Sequence, residues 1–122
     1  MDNKIVHVLN VFSSCLASSP KIEFDGMNMI IELKGYDDNE KYHECRIRFE
    51  SVIGYKYSLA LFEMIKGSYD TIIEIMDSEW RDTFEKNNKE QYDYWKPKHY
   101  ALYLDEVGLY QVLAKKVIVE ET

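Results

Sequence analysis

From His43 to Glu50 the chain alternates with a period of two: Cys45, Ile47 and Phe49 on one side, Glu44, Arg46, Arg48 and Glu50 on the other. Successive strand side chains point to opposite faces, so this pattern describes a strand with one dry and one wet surface. A single wet face is characteristic of antiparallel sheets. That strand sets the frame into which the rest of the chain must fit.

The preceding residues supply a hairpin. Ile22 and Phe24 oppose Lys21, Glu23 and Asp25, and Asp25-Gly26 offers the positive φ of a tight turn. Met27, Met29, Ile31 and Leu33 then share one side, with Asn28, Glu32 and Lys34 opposite. The polar run Gly35 to Lys41 reads as a loop. After the alternating strand, Val52 to Tyr57 predicts a further one, with Ile53, Tyr55 and Tyr57 in phase. Leu59 to Lys66 fits a helical turn, through Leu61, Phe62 and Ile65, as well as a strand; Gly67-Ser68 breaks it. Thr71 to Met76 reads as a short strand.

A last hairpin closes the pattern. Tyr100, Leu102 and Leu104 alternate with His99, Ala101 and Tyr103, and Asp105 to Gly108 turns the chain. Tyr110, Val112 and Ala114 answer on the return, but beyond Lys115-Lys116 the apolar phase slips to Val117 and Val119. Such a slip predicts a β-bulge or sharp bend.

Two segments read as helices. Ile5, Val8, Leu9, Phe12 and Leu16 recur at three- and four-residue steps, with Asp2 or Asn3 as N-cap and Ser18-Ser19-Pro20 as the stop. Asp77 predicts the N-cap of a second helix; Glu79 suits its positive end, and Trp80 and Phe84 form its apolar stripe as far as Asn87-Asn88. Gln91 to Pro97 is an aromatic connection carrying Tyr92, Tyr94 and Trp95. The expected fold is therefore α+β: a curved antiparallel sheet of six or seven strands, an N-terminal helix and a short helix after Asp77, in one domain spanning 1–122.

Composition narrows the function classes. Fifteen Lys and Arg against 22 Asp and Glu leave a net charge of −7. That field repels nucleic-acid backbones and anionic membranes, and it suits a basic protein partner. No stretch of eighteen apolar residues exists, and Asn10, Ser13 and Ser14 interrupt the one segment, Asp2 to Leu16, that resembles a leader. Cys15 and Cys45 lie thirty apart, which matches no zinc spacing. A cytoplasmic protein with free thiols, no metal and no cofactor is the expectation.

Catalytic patterns are weak. His43 shares a strand face with Cys45, an arrangement that more often means a buried thiol beside a hydrogen-bonded imidazole than a nucleophile and its base. Glu74, Asp77 and Glu79 beside Lys98-His99 read as a surface ion-pair set. Serine elbows, phosphate loops, HExxH pairs and calcium loops are missing from the sequence. A ligand pocket built from Tyr92, Trp95 and neighbouring tyrosines is the alternative to a protein-binding surface.

Three short motifs carry a resemblance: Asp77-Ser78-Glu79-Trp80, His99-Tyr100-Ala101-Leu102-Tyr103 and Tyr110-Gln111-Val112-Leu113-Ala114. From about Ile22 onward the chain resembles small bacterial proteins similar to immunity proteins, which bind and neutralise a toxin domain. The resemblance implies a non-catalytic binding protein; taken with the acidic charge, the expected partner is a protein, a basic toxin domain. The surface expected to carry binding joins the helix start to the final hairpin, through Asp77, Glu79, Trp80, His99 and Tyr103.

Overall fold

The computed structural model describes residues 3–122. A seven-stranded sheet dominates the described residues: β1 (Lys4–Val8), β2 (Lys21–Asp25), β3 (Asn28–Tyr36), β4 (Tyr42–Ser58), β5 (Thr71–Glu74), β6 (Lys98–Leu104) and β7 (Gly108–Glu121). Two late helices, α1 (Glu79–Asn87) and α2 (Lys89–Trp95), lie between β5 and β6. Strand order is β1-β5-β6-β7-β4-β3-β2, and every neighbouring pair runs antiparallel. The α+β class and the sheet follow the alternation read above.

The expected N-terminal helix is not there. Residues Lys4–Val8 form β1, and the chain then runs irregularly through a single 3₁₀ turn, Ser13–Cys15, to β2. Branching at Ile5, Val6, Val8 and Val11 favours extended backbone. The three-and-four spacing arose from an irregular crossing, with Leu9, Val11 and Leu16 turned inward and Ile5 and Val8 left exposed. The crossing joins the two edges of the sheet: Leu9 N–H bonds Asp70 O (2.9 Å), Phe12 N–H bonds Tyr36 O (3.1 Å) and Ala17 N–H bonds Lys34 O (2.8 Å). Asp2, the other proposed cap, lies outside the described residues.

One face of the sheet folds around the main core. It gathers Met29, Ile31, Leu33, Cys45, Ile47, Phe49, Ile72, Tyr100, Leu102, Leu104, Tyr110, Val112 and Ala114, with Leu9 and Val11 from the crossing segment. The curl brings Phe24 on edge strand β2 against Tyr55 in the far half of β4, with ring centres 6.0 Å apart. The outer face of β5, β6 and β7 holds a second core of Ile73, Ala101, Tyr103 and Leu109, covered by Ala60 and Ile65 from the segment after β4.

β4 is one strand of 17 residues where two were expected. It pairs with β3 along its first half and with β7 along nearly its whole length. The phase slip read at Lys115-Lys116 is matched on β4. Phe49 faces Val117 and Val52 faces Ala114, all four contributing to the main core, so both strands change phase together between these pairs. The pivot is Ser51, held at φ 56, a left-handed conformation that is uncommon away from glycine. A register shift follows at once, between Val52 and Gly54.

Candidate functional site

The helix after β5 begins one residue later than the sequence suggested. Ser78, not Asp77, is the N-cap: its Oγ accepts the Arg81 N–H at 3.0 Å. Glu79 and Asp82 sit in the first turn, where the helix dipole favours negative charge. Regular α1 does end at Asn87, and the aromatic connection beyond it is α2, stopped by Lys96 in a left-handed conformation before Pro97.

Ser78 also fixes the helix to the sheet. Its Oγ lies 2.6 Å from His99 Nδ1, and His99 Nε2 lies 2.8 Å from Gln111 Oε1. With Gln111 presenting its carbonyl oxygen, Nε2 carries the proton and donates to it. Nδ1 is then bare and accepts the Ser78 O–H. Ser78 is 1% exposed and His99 5%. Burial first, then the positive charges of Lys56 and Arg81, hold His99 below its ordinary pKa, against the bond to Gln111. The order hydroxyl, imidazole, amide resembles an activated serine. Here the hydroxyl also caps the helix, and both it and the imidazole are buried. The arrangement is a strut between α1, β6 and β7.

Trp80 stands over this strut. Its ring meets His99 edge-on at 5.2 Å, and Lys56 Nζ lies 4.1 Å above the ring. Gly54 lets it sit so close: a Cβ there would fall 2.7 Å from Trp80 Cζ2. Among the five residues expected to form a binding surface, Trp80 and His99 therefore touch, in a structural setting. Asp77 and Glu79 are exposed beside them and line a shallow surface depression of about 320 Å³ with Asp82, Thr83 and Lys86. Tyr103 is not part of that surface. It lies four positions further along β6, 1% exposed in the second core, with its ring 5.7 Å from Tyr69.

Of the His43-Cys45 pair, the thiol is buried and the imidazole is hydrogen-bonded. Cys45 is buried in the main core, where burial and then the Glu121 charge push its thiol up to about 12. His43 bonds Asp37 Oδ2 (2.7 Å) and Thr122 O (2.9 Å), and these bonds hold its pKa above the ordinary value. His7 bonds Glu121 nearby, and Asn10 N–H reaches the other oxygen of that carboxylate at 2.7 Å. These contacts tie the crossing segment to the end of β7. Among the described residues, no group of three or more His, Cys, Asp or Glu is placed to hold a metal. Glu74 is buried in β5, away from any surface ion-pair set. Tyr92 and Trp95 are half-buried on α2, while Tyr94 is exposed.

The surface that sequence reading missed is the connection between β4 and β5, which is neither helix nor strand. Leu59, Leu61, Phe62 and Met64 are 78%, 81%, 71% and 62% exposed. Their neighbours Ala60 and Ile65 are turned into the second core. Ser68 ties the base of the loop, donating through Oγ to Ile65 O at 2.6 Å, and Glu63 Oε2 accepts the Tyr69 N–H at 2.9 Å. The loop is thus anchored from within while four large apolar side chains point to water. The only sequence signal for it was an apolar run that fitted a helical turn nearly as well as a strand, and it forms neither.

Comparison of the chain with protein-family models, with curated proteins and with solved structures returned no match. Among the described residues no helix is long and apolar enough to cross a membrane.

Proposed function

We propose that this chain is a protein-binding module that performs no chemistry of its own, and that its role is that of an immunity-type protein neutralising a toxin domain in the cytoplasm. The observation that carries the binding reading is the loop bearing Leu59, Leu61, Phe62 and Met64, all mostly exposed. Apolar side chains gathered on one anchored loop mark an interaction site far more often than scattered ones do. Each is worth about 1.5–3 kcal/mol when fully buried. A few such anchors commonly supply most of the binding energy of an interface. The motif resemblance supports the immunity role, and the local pairing of Arg46 with Glu32 and Lys116 with Glu50 is in keeping with a surface that does not seek nucleic acid.

The test compares tagged wild-type protein with Phe62→Ser as bait in extracts of the native strain. A protein retained by wild type and lost with the variant, encoded beside this chain and toxic when expressed without it, is the expected result. Equal recovery by both baits, or a neighbouring gene whose product is harmless and unbound, would overturn the reading.

A further inference from the structure

The loop has a charged surround that restricts what can cover it. Tyr69 and Tyr103 meet with tilted rings whose centres are 5.7 Å apart, and the carboxylate of Glu63 holds the Tyr69 N–H from the loop side. From the other side comes the β6–β7 turn. Its Gly108 is pressed on Tyr57 and Ser58, the residues leading into the loop, so that a Cβ would fall 2.5 Å from Ser58 O. Tyr57 adds a hydrogen bond from its hydroxyl to Val107 O. That turn presents Asp105, half-buried, and Glu106, exposed with φ 58. Tyr103 lies two residues before Asp105, and its ring meets that of Tyr69, whose N–H is held by Glu63, so this ring contact links the carboxylate of the loop to the two of the turn. Lys66 is the loop's own cation.

We infer that the loop 59–64 and the turn 105–108 form one docking site, and that its occupant is a protein surface with an apolar pocket ringed by lysine or arginine. This rests on the binding-module reading above and adds the chemistry of the partner. Two other occupants are disfavoured by charge. A second copy would bring six carboxylates together against two lysines, within a pair of chains each carrying −7. An anionic bilayer accepts exposed Leu, Phe and Met, but it repels the same three carboxylates. A basic rim on the partner turns both penalties into attraction, raising the rate of encounter, while the apolar contacts set how long the complex lasts.

Two amphipathic 14-residue peptides with identical leucine faces, one with lysine and one with glutamate on the polar face, serve as probes. Expected is that the Leu/Lys peptide shifts backbone amide resonances of residues 59–64, 69 and 105–108. Its Kd should rise at least tenfold with Phe62→Ser, and about three- to tenfold with the triple variant Glu63→Gln/Asp105→Asn/Glu106→Gln. A glutamine at 63 still accepts the Tyr69 N–H, and circular dichroism checks that each variant is folded. The triple variant should also flatten the dependence of Kd on salt. If the Leu/Glu peptide bound the loop equally well, the inference about the rim would fail while the binding-module reading stood. If neither peptide touched the loop and no bait depended on Phe62, that reading would itself fail. Sedimentation showing a dimer dissolved by Phe62→Ser, or anionic vesicles retaining wild type but not the variant, would assign the loop to a second copy or to a membrane and overturn the inference.

Discussion

Replacing Ser78 with alanine removes two hydrogen bonds that meet at one buried oxygen: the cap on Arg81 N–H at 3.0 Å and the bond to His99 Nδ1 at 2.6 Å. Loss of an N-cap hydroxyl costs about 1 kcal/mol. The second loss leaves a buried imidazole nitrogen without a donor, worth roughly 1–3 kcal/mol, because His99 remains fully packed and cannot turn to water. The expected destabilisation is therefore about 2–4 kcal/mol, an unusually large effect for the deletion of one oxygen. Urea unfolding measures it, with an unchanged m-value as the sign that the native state is otherwise intact. Asp77→Ala is the control, since the neighbouring position is exposed and is not the cap. A double-mutant cycle with His99→Leu should return a coupling above about 0.5 kcal/mol. The strut would be refuted if Ser78→Ala cost less than Asp77→Ala, or if the cycle showed no coupling.

Three further outcomes follow from the same geometry. His99 and His43 should titrate on opposite sides of the usual histidine value. His99, lowered by burial, contributes stability that is full above about pH 6.5 and declines as pH falls through its folded pKa; His43, raised chiefly by Asp37, contributes stability that is full below about pH 6.5 and is lost as pH rises through its folded pKa. Imidazole proton titration by NMR, with urea curves from pH 5 to 8, checks both signs. A thiol reagent at pH 8 should label exposed Cys15 in the native state and Cys45 only after unfolding, because the buried thiol ionises near 12. Gly54→Ala drives a methyl to 2.7 Å from the Trp80 ring, so it should cost roughly 1–3 kcal/mol and shift tryptophan emission, while Gly26→Ala, with no atom within 4 Å of its Cβ, should leave the emission unchanged.

What could be read from the residues was whatever obeys a single period. Cys45, Ile47 and Phe49, the β2–β3 hairpin and the β6–β7 hairpin each alternate over several residues, and Met29, Ile31, Leu33, Tyr100, Leu102, Leu104, Tyr110 and Val112 face the core as the alternation says, while Phe24 and Met27 at the sheet edge stay exposed. Reading failed where the chain changes direction within a few residues. Between His7 and Leu16 the backbone crosses from one sheet edge to the other, and of the spaced residues that suggested a helix only Leu9 and Leu16 turn inward, joined by Val11 from outside the pattern. At Ser51 one serine in a left-handed conformation joined two expected strands into one, a choice that serine's composition does not announce. The candidate site was illegible for a related reason. Leu59, Leu61, Phe62 and Met64 are chemically indistinguishable from core residues, and only the folded neighbours show that Ala60 and Ile65 have already filled the space beneath them. Ser78 and Gln111 were equally silent, since their meaning lies in where His99 stands between them.

The long ladder between β4 and β7 is the costly closure of this fold. It pairs Ser58 with Leu109 and Cys45 with Glu121, residues about fifty to seventy-five positions apart, while β2–β3, β3–β4 and β6–β7 pair across short turns. Closing so wide a loop carries its entropic cost before any contact offsets it. The hairpins carry the smaller closure cost, and until β7 reaches β4 the middle of β4 presents a bare edge on which a wrong neighbour could settle.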